Sequence, residues 1–261
     1  MKVFYGLKST ILMVTIFSSI CFNGLAQNEQ TNLVNNKIDY GTVMDIEENT
    51  YKTVKIGDQE WMAENLKTTK YNDGMEIPNA SDEWDGELKT GAYCWYNNDI
   101  TYKDIYGALY NWYVLETGKL CPKGWHVPSD AEWTQMEVYL QNNNYNYDGS
   151  VDNSKGRVSK NKLAKALASE TGWKKMTSEG VVGNDDYPDF RNKTGFTALP
   201  GGYRYFHGRY SEVDVCGYWW SLSESHVTGE RWSRGICPNV TAVRKLGYDA
   251  RAGLSVRCIK D

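Results

Sequence analysis

Apolar and polar positions alternate along Tyr51-Lys52-Thr53-Val54-Lys55-Ile56, and Glu60-Trp61-Met62-Ala63 follows as a second such run. Gly57-Asp58 stands between them, so the pattern predicts a short β-hairpin. Ala92 to Tyr96 forms a third apolar and aromatic run. The period then lengthens. From Tyr106 to Glu116, Leu109, Trp112 and Tyr113 recur at three- and four-residue spacing, which predicts a helix. Gly118 follows where a left-handed cap is wanted. The next helix has the clearest start in the chain: Ser129 as N-cap, Glu132 as its capping-box partner, and Trp133, Met136 and Leu140 as the buried stripe. Leu163, Ala164 and Leu167 predict a shorter helix over Asn161 to Ala168.

After a polar loop around Asn184, short apolar runs return at close spacing: Tyr203 to Phe206, Tyr218 to Ser223, Arg231 to Ile236, Val240 to Leu246 and Leu254 to Ile259. Strands at both ends and two to three helices between them predict an α+β fold, with N- and C-terminal strands in one antiparallel sheet. The length of 261 residues, without an internal repeat, fits one main domain.

Composition sharpens this in two ways. Tryptophan and tyrosine, at 10 and 19 residues, far outnumber the 6 phenylalanines, so the aromatic content favours rings with a polar handle that suit half-wet sites. A net charge of -4 with scattered basic residues gives no electrostatic case for nucleic acid or an anionic membrane.

Residues 1–26 read as a signal peptide: Lys2 and Lys8, an apolar stretch from Ile11 to Ile20, and small residues at Gly24-Leu25-Ala26. The apolar stretch falls short of the roughly 18 residues of a membrane span. Ile20 before Cys21 is too bulky for the usual lipid-anchor signal, although Cys21 keeps that alternative open. Residues 27–42 read as a flexible N-terminal segment and 43–261 as the domain. Export, to the outer cell surface or beyond it, permits disulfides. Once Cys21 leaves with the signal, Cys94, Cys121, Cys216, Cys237 and Cys258 remain, an odd number that forces one to be free or intermolecular. Without C-x-x-C spacing, and with His126, His207 and His226 far apart in sequence, a zinc site is not expected.

Long motifs carry a resemblance: residues 55–66 (KIGDQEWMAENL), 91–98 (GAYCWYNN), 106–112 (YGALYNW), 121–130 (CPKGWHVPSD), Phe196 to Arg204, Trp219-Trp220-Ser221 and Ser255-Val256-Arg257-Cys258. Over about Asp45 to Asp261 the chain resembles the Fibrobacter succinogenes major paralogous domain, a family of exported bacterial proteins, many from Bacteroidetes. The resemblance implies a fold similar to the C-type-lectin-like and formylglycine-generating-enzyme group, but no reaction. It also implies a long-range bridge between Cys121 and Cys258. Cys216 and Cys237, placed at the ends of neighbouring strands, read as a second bridge. Cys94, among Tyr93, Trp95 and Tyr96 with no base or cation next to it in sequence, reads as a buried small hydrophobe.

The function expected from these features is recognition of an extracellular ligand, whether glycan, polymer or protein. Alternatives are a structural surface or matrix protein and an oxidative enzyme of the formylglycine-generating type. On a strand, Trp219 and Trp220 face opposite ways. The outward ring, with Trp232, Arg231, Arg204 and Glu224, would form a stacking surface; the competing reading buries both rings and leaves the charges as a structural ion pair. Asp185, Asp186 and Asp189 with Asn184 could hold calcium, but a solvated acidic loop describes them better. No nucleophile elbow, Walker loop or dinucleotide fingerprint appears. The closely spaced cysteine pair of formylglycine-generating enzymes is missing, and no cofactor or metal is expected. His126 reads as packing just ahead of the capped helix.

Overall fold

A computed structural model describes residues 1–3, 38–80, 87–151 and 160–261. The folded unit is Ile38–Asp261. The expected signal peptide beyond its third residue, and the 27–37 part of the flexible segment, lie outside the described residues. No helix among the described residues is long and apolar enough to cross a membrane.

Twelve strands and four α-helices make up the described part of this unit. The strands are β1 (Gly41–Met44), β2 (Thr50–Ile56), β3 (Gln59–Met62), β4 (Tyr93–Cys94), β5 (Leu109–Tyr110), β6 (Trp125–His126), β7 (Gly201–Arg204), β8 (Tyr210–Val213), β9 (Gly217–Glu224), β10 (Glu230–Ile236), β11 (Arg244–Asp249) and β12 (Ile259–Lys260). The helices are α1 (Lys103–Tyr106), α2 (Trp112–Glu116), α3 (Asp130–Asn142) and α4 (Ala164–Leu167). One antiparallel sheet has the order β1-β2-β3-β12-β6, so strands from both ends of the domain do share a sheet. The second runs β11-β10-β9-β7-β8 and is antiparallel except where Gly202 on β7 pairs with Gly217 on β9. β4 and β5 pair separately. The result is an α+β domain, mostly sheet.

The hairpin at Gly57 and the helix at Ser129 form as their sequences predict. Gly57 sits at φ +63 between β2 and β3. The Ser129 hydroxyl accepts from the Glu132 amide, and the Glu132 carboxylate accepts from the Ser129 amide at 2.7 Å, completing the box. α3 lies against β2 and β9. Charge then fixes it in place. Arg234 on β10, 2% exposed, donates from Nε to Glu137 at 2.6 Å and from Nη1 to Asp130 at 2.8 Å, and Lys245 reaches the other Asp130 oxygen at 2.6 Å.

The expected helix over Tyr106 to Glu116 is broken into α1, β5 and α2. Gly107 takes φ +74, and a Cβ there would lie 2.7 Å from the Leu66 carbonyl oxygen. Ala108 through Trp112 are all buried, so the apolar spacing that suggested one helical face records burial on every side instead. The helix expected over Asn161 to Ala168 shrinks to α4 because the Asn161 side chain accepts from the Val243 amide at 2.9 Å, holding the preceding residues to β11's approach. The strand expected over Val240 to Leu246 is displaced to β11. Gly118, at φ +65, caps α2 as expected.

The expected closing strand, Leu254 to Ile259, is a sheet strand only from Ile259. Before that its backbone serves several partners in turn: the Leu254 carbonyl accepts from Tyr110, the Ser255 amide donates to Tyr218, and the Val256 carbonyl accepts from Leu66. All of it is buried. Cys258 is bridged to Cys121 across 137 positions, which the loop-entropy picture values at about 5 kcal/mol at most. Cys216 and Cys237 are bridged across 21 positions, worth about 3 kcal/mol on the same basis.

Candidate functional site

β9 carries three of the expected contact residues, Trp219, Trp220 and Glu224, and the parity of its tryptophans is as predicted. Trp219 turns into the cluster with Trp61, Trp133 and Phe196, and Trp220 into the cluster with Tyr218, Cys121 and Cys258. The expectation of one outward ring nevertheless fails: both faces of the strand are covered, and Trp219 and Trp220 are 1% and 0% exposed. Their indole nitrogens are spent inside, on Asn65 Oδ1 at 2.8 Å and the Tyr110 carbonyl at 2.7 Å. Trp232 is buried too, with the Lys245 ammonium 4.2 Å from its ring centre and His226 at its edge.

Arg204 is likewise interior. It donates to the Tyr210 hydroxyl at 2.8 Å, and this pair lies beside Cys94. The sequence neighbourhood of Cys94 holds no cation, but the fold supplies one. Burial pushes the Cys94 thiol up, against the pull of Tyr210 and Arg204, so it stays a protonated, enclosed thiol. Of the expected contact residues, only Glu224 is well exposed; Arg231, opposite it on β10, sits 3.2 Å from its carboxylate and 4.2 Å over the Trp112 ring.

The exposed aromatic surface lies next to this pair, at residues the sequence pattern assigned to a strand. β7 ends at Arg204, and Tyr205 to Arg209 close the β7–β8 turn, with the Tyr205 amide donating to the Arg209 carbonyl at 2.7 Å. Tyr205 and Phe206 are 36% and 37% exposed, and His207 stacks on Tyr205 at 5.1 Å with only 7° between the planes. Behind Tyr205 stand Tyr203, Tyr218 and Tyr248, edge to face at 5.2 to 5.4 Å. Tyr218 is tied to Glu212 and lies 3.7 Å from the Cys237 sulfur, so the second disulfide backs the platform. Arg251 lies 4.8 Å from the Phe206 ring centre. Its Nε and Nη2 hold both oxygens of Asp249 at 2.8 and 2.6 Å, and this fork keeps the Asp249 carboxyl below its usual range against the opposing effect of burial. Tyr248 sits opposite Arg231 on the neighbouring strand, and Arg231 in turn opposite Glu224.

Exposed rings beside a preset guanidinium–carboxylate fork combine a stacking plane with directed donors and acceptors. A signal for this was present in Tyr205-Phe206-His207-Gly208, an aromatic run closed by a turn glycine.

The acidic loop does not converge on a point. Asp185 pairs with Lys175 at 2.5 Å, Asp186 with the buried Lys165, and the Asn184 amide donates to the Ser178 carbonyl. Among the described residues, the one group with metal-ligand proximity is Glu212 with Cys216 and Cys237, and the two sulfurs are consumed by their bridge. His126 is more than a packing residue: it bonds Glu132 through Nε2 at 2.8 Å and Asp261 through Nδ1 at 2.7 Å. Burial lowers its pKa, but the two carboxylates prevail and raise it overall.

Comparison with curated proteins and with solved structures gave no match. The family profile described as the Fibrobacter succinogenes major domain matches residues 54–260. The match takes in the turn at Gly57, α3, both bridges and the aromatic surface, and the chain belongs to the Fibrobacter succinogenes major domain family.

Proposed function

We propose that the domain is an extracellular binding module whose contact surface is Tyr205, Phe206 and His207 with the Arg251–Asp249 fork, and that its ligand is a glycan. The observation that carries this is the mounting of exposed rings on a packed tyrosine triad beside a bidentate charge pair. Sugar rings offer apolar faces to stack and hydroxyls that both donate and accept, which suits a ring plane flanked by one guanidinium and one carboxylate. The two bridges and the signal-like start of the chain support an exported location. Strands from both ends of the domain sharing one sheet, locked by Cys121–Cys258, favour placing it among C-type-lectin-like folds. The pairing of Cys216 with Cys237 leaves neither as the free thiol that oxidative chemistry requires.

A glycan-binding screen on the mature chain, followed by calorimetry on the hits, tests the reading. Phe206→Ala and Arg251→Ala should each weaken binding at least tenfold while leaving the melting temperature nearly unchanged. Binding indifferent to both substitutions would sink the assignment.

A further inference from the structure

The outer face of α3 carries no charge. Its three charged residues, Asp130, Glu132 and Glu137, are all engaged with the domain: Asp130 and Glu137 hold Arg234, Asp130 also holds Lys245, and Glu132 serves Ser129 and His126. The residues that face solvent are Ala131, Thr134, Gln135, Val138, Tyr139 and Asn142. A helix on a domain surface ordinarily presents its charges to water; α3 draws them inward. Val138 and Tyr139 are 49% and 39% exposed. Thr134 donates its hydroxyl to the Asp130 carbonyl at 2.8 Å and accepts from Arg234 at 3.3 Å, so its polar atom already has partners within the domain. Tyr139 lies against the β2–β3 turn, where a Cβ on Gly57 would come within 2.9 Å of its ring, so the ring is braced before any contact is made.

We propose that this face is a self-association surface, on which α3 of a second copy of the chain packs antiparallel about a two-fold axis. Charge selects the occupant. A chain of net charge -4 is on average repelled by its own copy, and a neutral helix face is one that a copy can reach without that cost. A convex, neutral helix offers neither the charge nor the pocket by which a small ligand is held. The two-fold sets each helix N-terminus beside its partner's C-terminus, which pairs the helix dipoles favourably. Ala131, Thr134, Gln135, Val138 and Asn142 recur at three- and four-residue steps, the ridges that interlock when helices pack. The 13 residues of α3 span about 20 Å. That strip falls below the roughly 800 Å² per partner of a stable dimer, so the association is weak, with a Kd of about 10 to 100 µM. Contacts of that strength count where copies are held side by side. The proposal does not rest on the glycan reading.

Sedimentation equilibrium of the mature chain over about 1 to 500 µM tests this. A monomer–dimer equilibrium should appear, and raising the salt should not weaken it, because no charge is matched across the face. Val138→Lys, at an exposed position of a helix that tolerates lysine, should weaken dimerisation at least tenfold. Ile100→Lys, at an exposed apolar residue outside α3, should leave it unchanged. Gln135→Cys should give a disulfide-linked dimer on mild oxidation, since the two-fold brings the midpoint of the face near its own copy. A monomer at the highest concentration, a dimer indifferent to Val138→Lys, or an equal loss from Ile100→Lys overturns the proposal. Dimers that Gln135→Cys fails to link overturn it as well. If only a chain starting at Ile38 dimerises, the preceding segment is what occupies the face, and the proposal falls.

Discussion

Two arginines in this domain lie over phenylalanine rings at similar distances and do opposite things. Arg257, fully buried, sits 4.2 Å from the centre of Phe196; Arg251, at the surface, sits 4.8 Å from Phe206. Arg251 has a carboxylate partner in Asp249. Arg257 has none in contact among the described residues: it donates to Asn65 Oδ1 at 2.9 Å and to the carbonyls of Phe196 and Thr197, and burial drives its pKa well below the usual guanidinium range. Asn65 Oδ1 also accepts from Trp219, so one amide joins the charge to a core indole. The difference teaches that an arginine–aromatic pairing does not by itself mark a contact surface. Where neutral acceptors close around the guanidinium it organises the interior, and where one face of the ring stays wet it can serve a ligand.

The sharpest way to break this contrast is through the rings. Trp219→Ala should cost about 3–5 kcal/mol in urea unfolding, whereas Phe206→Ala should stay within about 1 kcal/mol; equal losses would mean that Phe206 is a core residue. Next come the arginines. Arg257→Met leaves Asn65 and two carbonyls short of a donor and should cost about 3 kcal/mol, while Arg251→Met should cost under about 1 kcal/mol. Removing the second bridge by Cys216→Ser with Cys237→Ser should lower stability by about 3 kcal/mol at most. It should also loosen Tyr218 and Tyr248, seen as faster ring flips by NMR; ring dynamics left unchanged would detach the bridge from the platform.

The smallest effect concerns His126. Its folded pKa is raised, so its contribution is full below the unfolded value near 6.5 and fades as pH rises through the folded value. His126→Gln should therefore destabilise at pH 6 by under about 1 kcal/mol, because the ring is partly solvated, and the cost should shrink toward pH 9. A loss that grows with pH would reverse the assignment.

Local chemistry explains which parts of the fold were legible in the sequence. Ser129 with Glu132, and Gly57-Asp58 between two apolar runs, specify their conformations within a few residues, and both formed as read. The long motifs carried the family, and with it the Cys121–Cys258 bridge. Periodicity lost its meaning where burial is complete. Ala108 to Trp112 and Leu254 to Cys258 are enclosed on all sides, so the apolar spacing there distinguishes neither helix from strand nor strand from a segment that changes partners. The exposed aromatic surface was misplaced for a related reason. Strand parity correctly sent Trp219 and Trp220 to opposite faces, but it says nothing of what covers each face. β8, with the sequence Tyr-Ser-Glu-Val, was too polar to stand out as a strand, and without it Tyr205 and Phe206 could not be recognised as the tip of a hairpin.

The position of β12 between β3 and β6 imposes an order on assembly. Lys260 meets Glu60 across 200 positions of sequence, so the hairpin of β2 and β3 presents an open edge until the segment 200 positions downstream has been made. Contacts of such separation slow folding, and for that interval the waiting edge is where a neighbouring chain would most readily add a strand. A strand of two residues, Ile259 and Lys260, thus decides when the domain stops being vulnerable to its own copies.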